Sequence, residues 1–390
     1  MGLRVETFGF AGRSSLAIGE VSAQMIKPFF VGRDPAYRER NWQDYRRYNR
    51  AWNLNQNYCY APYDIASWIV QAKVADLPLY KFIGAMRDEV PIYGSSMTLK
   101  KAEDYAEEAI ELKKRGWAAY KLHPPADFDI TIAAHKACRE AVGPDFRLMS
   151  DPVNNFNYQQ NLYFGKLLQE LNYYWLEEPM FDEYHSSLKS LSQKLEIPIV
   201  GGETAENHPE GVAHLISDRA VDIVRADVSW SGGITGLLKT AHLAEAHGMN
   251  CEIHTAIYHP LELVNLHCAA SINNNEFFEI KGINFHMSLP WQRKAKRKTR
   301  LPGYTKVFFK YLKHGKRLRG TIFDLFGYSY ERKLERKLRD HYIELVKEWT
   351  KSINLDNYND IVKLANRPND VRGYGFIKIK SIKFLYNNLL

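Results

Sequence analysis

Three carboxylates stand at equal intervals along the chain, each closing a short apolar run: Asp151 after Arg147-Leu-Met-Ser, Glu177 after Tyr174-Trp-Leu, and Glu203 after Ile199-Val-Gly-Gly. Both intervals are 26 residues, about the length of one strand, loop, helix and loop in a parallel barrel. Side chains at the carboxyl ends of consecutive barrel strands converge, and three acids brought together repel one another unless a cation sits among them. A divalent metal site on Asp151, Glu177 and Glu203 is therefore expected. Lys121 and His123, in Tyr120-Lys-Leu-His, are two residues apart on a strand and turn to one face, into the barrel, while Leu122 turns to the helices. A buried ammonium needs a partner, and an anionic substrate would supply it; His123 then faces the same ligand as a base or hydrogen-bond donor. Asp227 follows a sixth apolar run and His254 a seventh. A carboxylate beside an imidazole fixes its tautomer and stabilises its protonated form, which makes His254 the leading proton-transferring base. Glu279, in the last run, can serve as a protonated carboxyl donating to a developing oxyanion provided its surroundings raise its pKa, or can simply meet a neighbouring lysine such as Lys281.

The elements that must position these groups alternate. Strand-like runs fall at 90–93, 119–122, 147–150, 174–176, 197–200, 222–225, 250–253 and 277–280, with helical patterns at 102–115, 130–142, 161–171, 187–195, 209–216, 236–247 and 260–271 between them. Glycine just past a helix end recurs at Gly116, Gly143 and Gly248. This alternation predicts an α/β parallel barrel, with a doubly wound sheet as the weaker option. Residues 1–90 read as a mainly helical cap, 91–282 as the barrel and 283–390 as a separate, mostly helical region.

Charge divides the chain at the same place. Residues 283–390 hold 25 Lys and Arg against 9 Asp and Glu, a net of +16, while the first 282 residues carry a net of −8. The 45% hydrophobic and 25% charged content describes a globular chain. No apolar run approaches a membrane span, the start Met1-Gly-Leu-Arg-Val-Glu lacks an apolar signal core, and the four cysteines form no Cys-x-x-Cys pair; a reducing cytoplasm fits best. The run Arg293–Arg300 is basic, but no nucleic-acid module surrounds it, and solvation is the expectation. His242, His247, His259 and His267 read as structural, and Gly232-Gly233 as a tight turn rather than a phosphate cradle.

Lys121-x-His123, Asp151, Trp175-Leu-Glu-Glu-Pro179, Gly202-Glu-Thr204, Asp227 with Ser231-Gly-Gly-Ile-Thr235, His254 and Phe278-Glu279 together resemble the mandelate racemase subgroup of the enolase superfamily over about residues 15–282. In the cap, Val31-Gly-Arg-Asp-Pro35 and Leu77-Pro-Leu-Tyr80 resemble that family's lead into the first strand. The resemblance implies a modified TIM barrel of (β/α)7β type, Mg²⁺ on Asp151, Glu177 and Glu203, and removal of the proton next to a substrate carboxylate. Lys121 and the metal would stabilise the enediolate, with Asp227 supporting His254. It implies dehydration of a sugar acid, with racemisation or epimerisation of a 2-hydroxy acid as the alternative, and a homo-oligomer, since relatives commonly self-associate. Three departures are visible. His123 stands where the subgroup most often has a second lysine, Val153 displaces a polar residue near Asp151, and the cap is truncated.

Ile283–Pro290, Leu318–Asp324 with Phe326-Gly-Tyr328, Glu331–Arg336 and Val371–Lys378 resemble instead the carboxy-terminal region of indolepyruvate ferredoxin oxidoreductases. No cysteine follows Cys268, so the cluster-binding parts of those enzymes have no counterpart. A catalytically silent fusion, its basic tail binding an acidic partner, is the reading from another class.

Overall fold

A computed structural model describes residues 15–52, 54–205, 208–255, 260–281, 286–287, 299–300, 330–354 and 356–366, with Val371, Ile379 and Ile382. The chain divides into two compact units, Met1–Gly282 and Ile283–Leu390.

In the first unit eight strands form one parallel sheet: β1 (Ile92–Ser95), β2 (Ala119–Leu122), β3 (Arg147–Ser150), β4 (Leu176–Glu177), β5 (Ile199–Gly201), β6 (Ile223–Ala226), β7 (Asn250–Ile253) and β8 (Phe278–Lys281). They run in the order β7-β6-β5-β4-β3-β2-β1-β8, so β8 returns beside β1 and curls the sheet into a nearly closed α/β barrel. Its ladder is open only between β7 and β8, where Asn274 and Asn275 bridge instead: Cys251 N donates to Asn274 O at 2.7 Å and Ile253 N to Asn275 Oδ1 at 2.9 Å.

Period-two alternation sets what lies inside. Tyr93, Ala119, Met149, Trp175, Val200 and Phe277 form a buried apolar cluster that plugs the barrel. Two residues further along their strands stand Ser95, Lys121, Asp151, Glu177 and Glu279, so a polar layer caps the apolar one. Tyr120, Leu122 and Leu148 alternate outward into the larger core shared with the helices. The strand expected at 90–93 begins at Ile92 because Pro91 has no N–H for a ladder.

Seven helices follow β1 to β7: α6 (Ala102–Lys114), α7 (Phe128–Val142), α8 (Tyr158–Glu170), α9 (His185–Lys194), α10 (Glu210–Ser217), α11 (Gly233–Ala246) and α12 (Pro260–Ala269). Caps start two of them earlier than apolar spacing suggests. Asp127 accepts from Ile130 N at 3.0 Å, and Asn157 and Gln160 form a reciprocal capping box.

The segment before the barrel is helical, as expected: α1 (Ser15–Val21), a π-helical turn Ser22–Ile26, α2 (Lys27–Phe30), α3 (Arg38–Trp52), α4 (Asn57–Val74) and α5 (Leu79–Ile83). Helix α4 lies against the start of α11, where Asp64 accepts from Thr235 N at 2.9 Å and Thr235 Oγ1 at 2.6 Å, and Trp68 Nε1 donates to the same hydroxyl at 2.9 Å. Gly232 and Gly233 permit this approach. Both have positive φ, and a methyl at Gly233 would stand 2.3 Å from Asp64 Oδ2. The glycine pair is therefore a tight turn fitted to the cap.

Burial pushes Asp64 up to about 6 from an ordinary value of 3.8, against the Thr235 bonds that favour its charge. An acid that holds its proton more tightly folded than unfolded favours the fold below both values and loses that contribution as pH rises through the folded one. Unfolding free energy should thus fall by about 2–3 kcal/mol more between pH 4 and 7 in the parent than in Asp64→Asn. Urea midpoints across that range check it, and parallel slopes in the two proteins would count against it.

In the second unit β9 (His286–Met287) pairs antiparallel with β10 (Thr299–Arg300). Tyr342 of α13 (Tyr330–Ser352) donates to Ala365 O in α14 (Tyr358–Asn366) at 2.9 Å, and Leu338 packs with Ile382. Glu331–Arg336 lies on α13. His259, most of the basic run and most of the other quoted tail motifs lie outside the described residues. No helix among the described residues is long and apolar enough to cross a membrane.

Candidate active site

The eight residues singled out in the sequence gather at the carboxyl end of the barrel as one chain of contacts. His123 Nε2 lies 2.9 Å from Asp151 Oδ2, and Lys121 Nζ lies 3.4 Å from the same oxygen, 2.5 Å from Glu177 Oε1 and 3.3 Å from Glu279 Oε1. At the other flank His254 Nε2 lies 3.4 Å from Glu203 Oε1, and its Nδ1 lies 3.5 Å from Asp227 Oδ2.

Between the flanks stands a residue that the sequence reading passed over. Arg225 of β6 is fully buried, with Nη2 2.7 Å from Glu279 Oε2 and 3.1 Å from Glu177 Oε1, and Nε 3.8 Å from Glu203 Oε2. Its signal was available, since it lies two residues before Asp227 and shares the inward face. Lys121 and Arg225 thus supply the positive charge that the clustered acids require. When ionised, Asp151, Glu177, Glu203 and Glu279 still exceed these two cations by two negative charges.

Burial alone would lower the pKa of Lys121 and of Arg225, but Glu177 with Glu279 holds Lys121, and Glu177 with Tyr93 and Glu279 holds Arg225, well above the usual value. Burial would raise Asp151, and His123 with Lys121 brings it below the carboxylate range. Burial raises Glu177 against the pull of Arg225 and Lys121. Trp175 Nε1 also donates to Glu177 Oε2 at 3.0 Å.

The expectation of a protonated Glu279 is corrected. Burial would raise its pKa, but contact with Lys121 and Arg225 drives it well below the ordinary value, so it is an ionised countercharge rather than a neutral donor. The carboxyl driven the other way is Glu178, which burial, then Asp182 and Glu203, push well above the ordinary value. Glu178 has φ +42° and accepts from Glu203 N at 3.0 Å, an orientation that strand alternation did not suggest.

The His254–Asp227 pair is rigidly framed. Asp227 Oδ1 accepts from Ser229 N at 2.6 Å, and Asn265 Nδ2 of α12 donates to Asp227 Oδ2 at 2.9 Å and to His254 O at 3.2 Å. The Trp230 ring stacks on the imidazole at 4.7 Å. Burial would lower the His254 pKa, and Glu203 with Asp227 raises it above the usual value. Asn154, near the displaced polar position, leaves Oδ1 buried without a hydrogen-bond partner, while Val153 is exposed.

Among the described residues no three His, Cys, Asp or Glu side chains converge as a finished metal cage, because the carboxylates are turned to Lys121, His123 and Arg225. The donor set nevertheless fits a hard divalent cation. Asp151, Glu177 and Glu203 offer only oxygen from adjacent strand ends, and the cluster carries excess negative charge.

Comparison with known proteins agrees with this architecture. The chain is 32% identical over 215 residues to an arabinonate dehydratase of Saccharolobus solfataricus, covering 54% of this chain and 57% of that protein. It is 32% identical over 216 residues to an L-talarate/galactarate dehydratase of Salmonella typhimurium, covering 52% and 53%. It thus spans little more than half the length of these relatives. Among solved structures it is similar to a D-glucarate dehydratase from Agrobacterium tumefaciens complexed with magnesium, with 37% identity, a TM-score of 0.63, and coverage of 67% of this chain and 71% of that one. A family of unknown function (DUF6537) matches residues 255–386, and the family described as enolase C-terminal domain-like matches residues 104–299. With half of its length matched and its barrel carrying acids at successive strand ends, the chain belongs to the enolase C-terminal domain-like family.

Proposed function

We propose that this protein removes the proton α to the carboxylate of a sugar acid and expels the β-hydroxyl, as a hydro-lyase. The observation that carries this reading is the buried His254–Asp227 pair beside acids held among Lys121 and Arg225. Asp151, Glu177 and Glu203 would hold Mg²⁺, which when bound supplies a Lewis acid for the substrate carboxylate. A proton next to a carboxylate is a very weak acid, so positive charge must already be in place where the enediolate forms. Lys121 supplies part of it. His254 takes the proton at Nε2; Asp227 fixes the opposite nitrogen, and Trp230 holds the ring plane. With Glu203 committed to a cation, His254 loses the largest attraction on its own proton, which favours the neutral base. The imidazolium then returns the proton to the departing β-hydroxyl, so water leaves and an enol remains to become a 2-keto-3-deoxy acid.

Racemisation is the second reading, favoured by one observation: His123 flanks the acid cluster beside Asp151 while His254 flanks it beside Glu203, as two bases on opposite sides would. The named dehydratases among the relatives support elimination.

Mg²⁺ at about a hundredfold excess over its Kd should raise the melting temperature by about 5 °C, and Glu203→Gln should remove the rise. Incubation with a panel of sugar acids in deuterated solvent should give α-proton exchange and a keto-acid product. A melting temperature indifferent to Mg²⁺, with no acid exchanged, would leave the silent-fusion reading.

For the rest of the chain we infer three parts: a capping segment at 1–90, the catalytic barrel at 91–282, and a basic region at 283–390 related to the oxidoreductase tail. The charge break at residue 283 and the quoted tail motifs support this division.

A further inference from the structure

We propose that Asn265, on helix α12, is a positioning residue for the His254–Asp227 pair: its single amide holds the carboxylate and the base at the spacing that leaves His254 Nε2 free to take a proton. This rests on the proton-transfer reading above. The inward stripe of α12 follows helical spacing through Leu261, Val264, Asn265 and Cys268, all of them buried. Asn265 is the polar member of that stripe and is only 1% exposed. A carboxamide in a core stripe costs free energy unless its atoms are paired. They are paired, and every partner lies at the end of β6 or β7. Oδ1 accepts from Val228 N at 3.0 Å, and Nδ2 donates to Asp227 Oδ2 at 2.9 Å and to His254 O at 3.2 Å. An apolar side chain would complete the stripe equally well; the amide serves the two strand ends instead.

Two features make the pair depend on this amide. Asp227 Oδ1 already accepts from Ser229 N at 2.6 Å and from Trp230 N at 3.3 Å, so the imidazole faces Oδ2, the oxygen that Asn265 holds. The gap from His254 Nδ1 to that oxygen is 3.5 Å, at the outer edge of hydrogen-bond reach. Nδ1 is buried and has no closer partner among the described residues, so a small rotation of the carboxylate breaks the contact. While the contact lasts, the neutral ring carries its hydrogen on Nδ1 and presents a lone pair at Nε2. The second amide hydrogen, on His254 O, ties the main chain of the base to the same rigid plane. Asn265 touches no reacting atom, and its effect is felt through Asp227.

The test joins kinetics to a spectrum, on the full chain with Mg²⁺ and with threonate, arabinonate and galactonate as probes. Asn265→Leu should lower kcat for α-proton exchange about 10–100-fold, with KM changed by less than about threefold. In an Asp227→Ala background the same substitution should cost less than about twofold, because a residue that works through the carboxylate then has nothing to hold; a residue that only packs the helix would cost as much in both backgrounds. Imidazole nitrogen spectra by nuclear magnetic resonance at alkaline pH, with the His254 signals assigned by their absence from His254→Asn, should place the hydrogen on Nδ1 in the parent and share it between the two nitrogens in Asn265→Leu. Should Asn265→Leu not fold, Asn265→Asp decides: it keeps the shape and the bond from Val228 N but offers Asp227 a like charge in place of a donor, and should show the same losses. Equal losses in both backgrounds, or parent-like exchange in a folded variant, overturn the proposal. If the parent exchanges none of the acids, the proton-transfer reading fails and the spectra alone judge Asn265: a tautomer lost in the variant upholds the positioning role, and an unchanged one removes it.

Discussion

Arg225→Met protein, stripped of divalent ions, should unfold with about 3–5 kcal/mol less free energy than the parent, the cost of leaving buried charges without their partner. The guanidinium touches Glu177, Glu279 and Glu203 from the floor of the site, and no other cation reaches all three among the described residues. Its removal leaves Lys121 as the one permanent positive charge in contact with the cluster among the described residues. Arg225→Lys should recover only part of the loss, because one ammonium cannot reproduce both the Nη2 contacts to Glu177 and Glu279 and the Nε approach to Glu203. Guanidinium chloride would confuse the electrostatics, so urea titration in a chelating buffer is the measurement. A loss under about 1 kcal/mol would mean that the acids are neutral in the folded protein, and the argument for charge compensation would fail. Adding Mg²⁺ should restore more stability to Arg225→Met than it adds to the parent, since the variant carries one more uncompensated negative charge.

His254→Asn should lower α-proton exchange by about 10²–10⁴-fold, the usual contribution of a positioned base. Its melting temperature should move only a few degrees, because asparagine can still meet Asp227. Asp227→Asn should fall between this variant and the parent, its carboxylate acting through the imidazole rather than on substrate. Deuterium incorporation by nuclear magnetic resonance reads both. If His254→Asn exchanges as fast as the parent while His123→Asn does not, the base is the other imidazole and the assignment reverses.

Much of this arrangement was legible because a strand has only two faces. Once Asp151 and Glu177 are placed at strand ends, a step of two residues from Met149 and Trp175 turns them inward, and the same step places Lys121 above Ala119. Arg225 obeyed the same rule and was still missed, since it was read as the last residue of a strand whose interest lay in Asp227. Two cations hold the charge of Glu279 against its burial, Lys121 first and Arg225 second, and the strand pattern alone did not show that both reach it. Glu178 escaped for another reason. Neighbours on a strand face opposite ways, and only its left-handed backbone turns it back toward Glu203. The tie between Asp64 and Thr235 spans 171 residues, and no local pattern encodes such a partner. Helix starts were late where side chains rather than apolar spacing begin the helix, as at Asp127 and Asn157.

The gap in the strand ladder bears on how the centre behaves over time. His254 leaves β7 on one side of that gap and Glu279 sits in β8 on the other, joined by Thr255, whose Oγ1 donates to Glu279 O at 2.8 Å. Elsewhere around the ring, neighbouring strands are zipped by ladders of main-chain bonds, and here one main-chain bond, Cys251 N to Asn274 O, is supplemented by amide and hydroxyl side chains. An interrupted ladder opens at a lower free energy than a continuous one, so local opening of the ring is expected first at the seam beside His254.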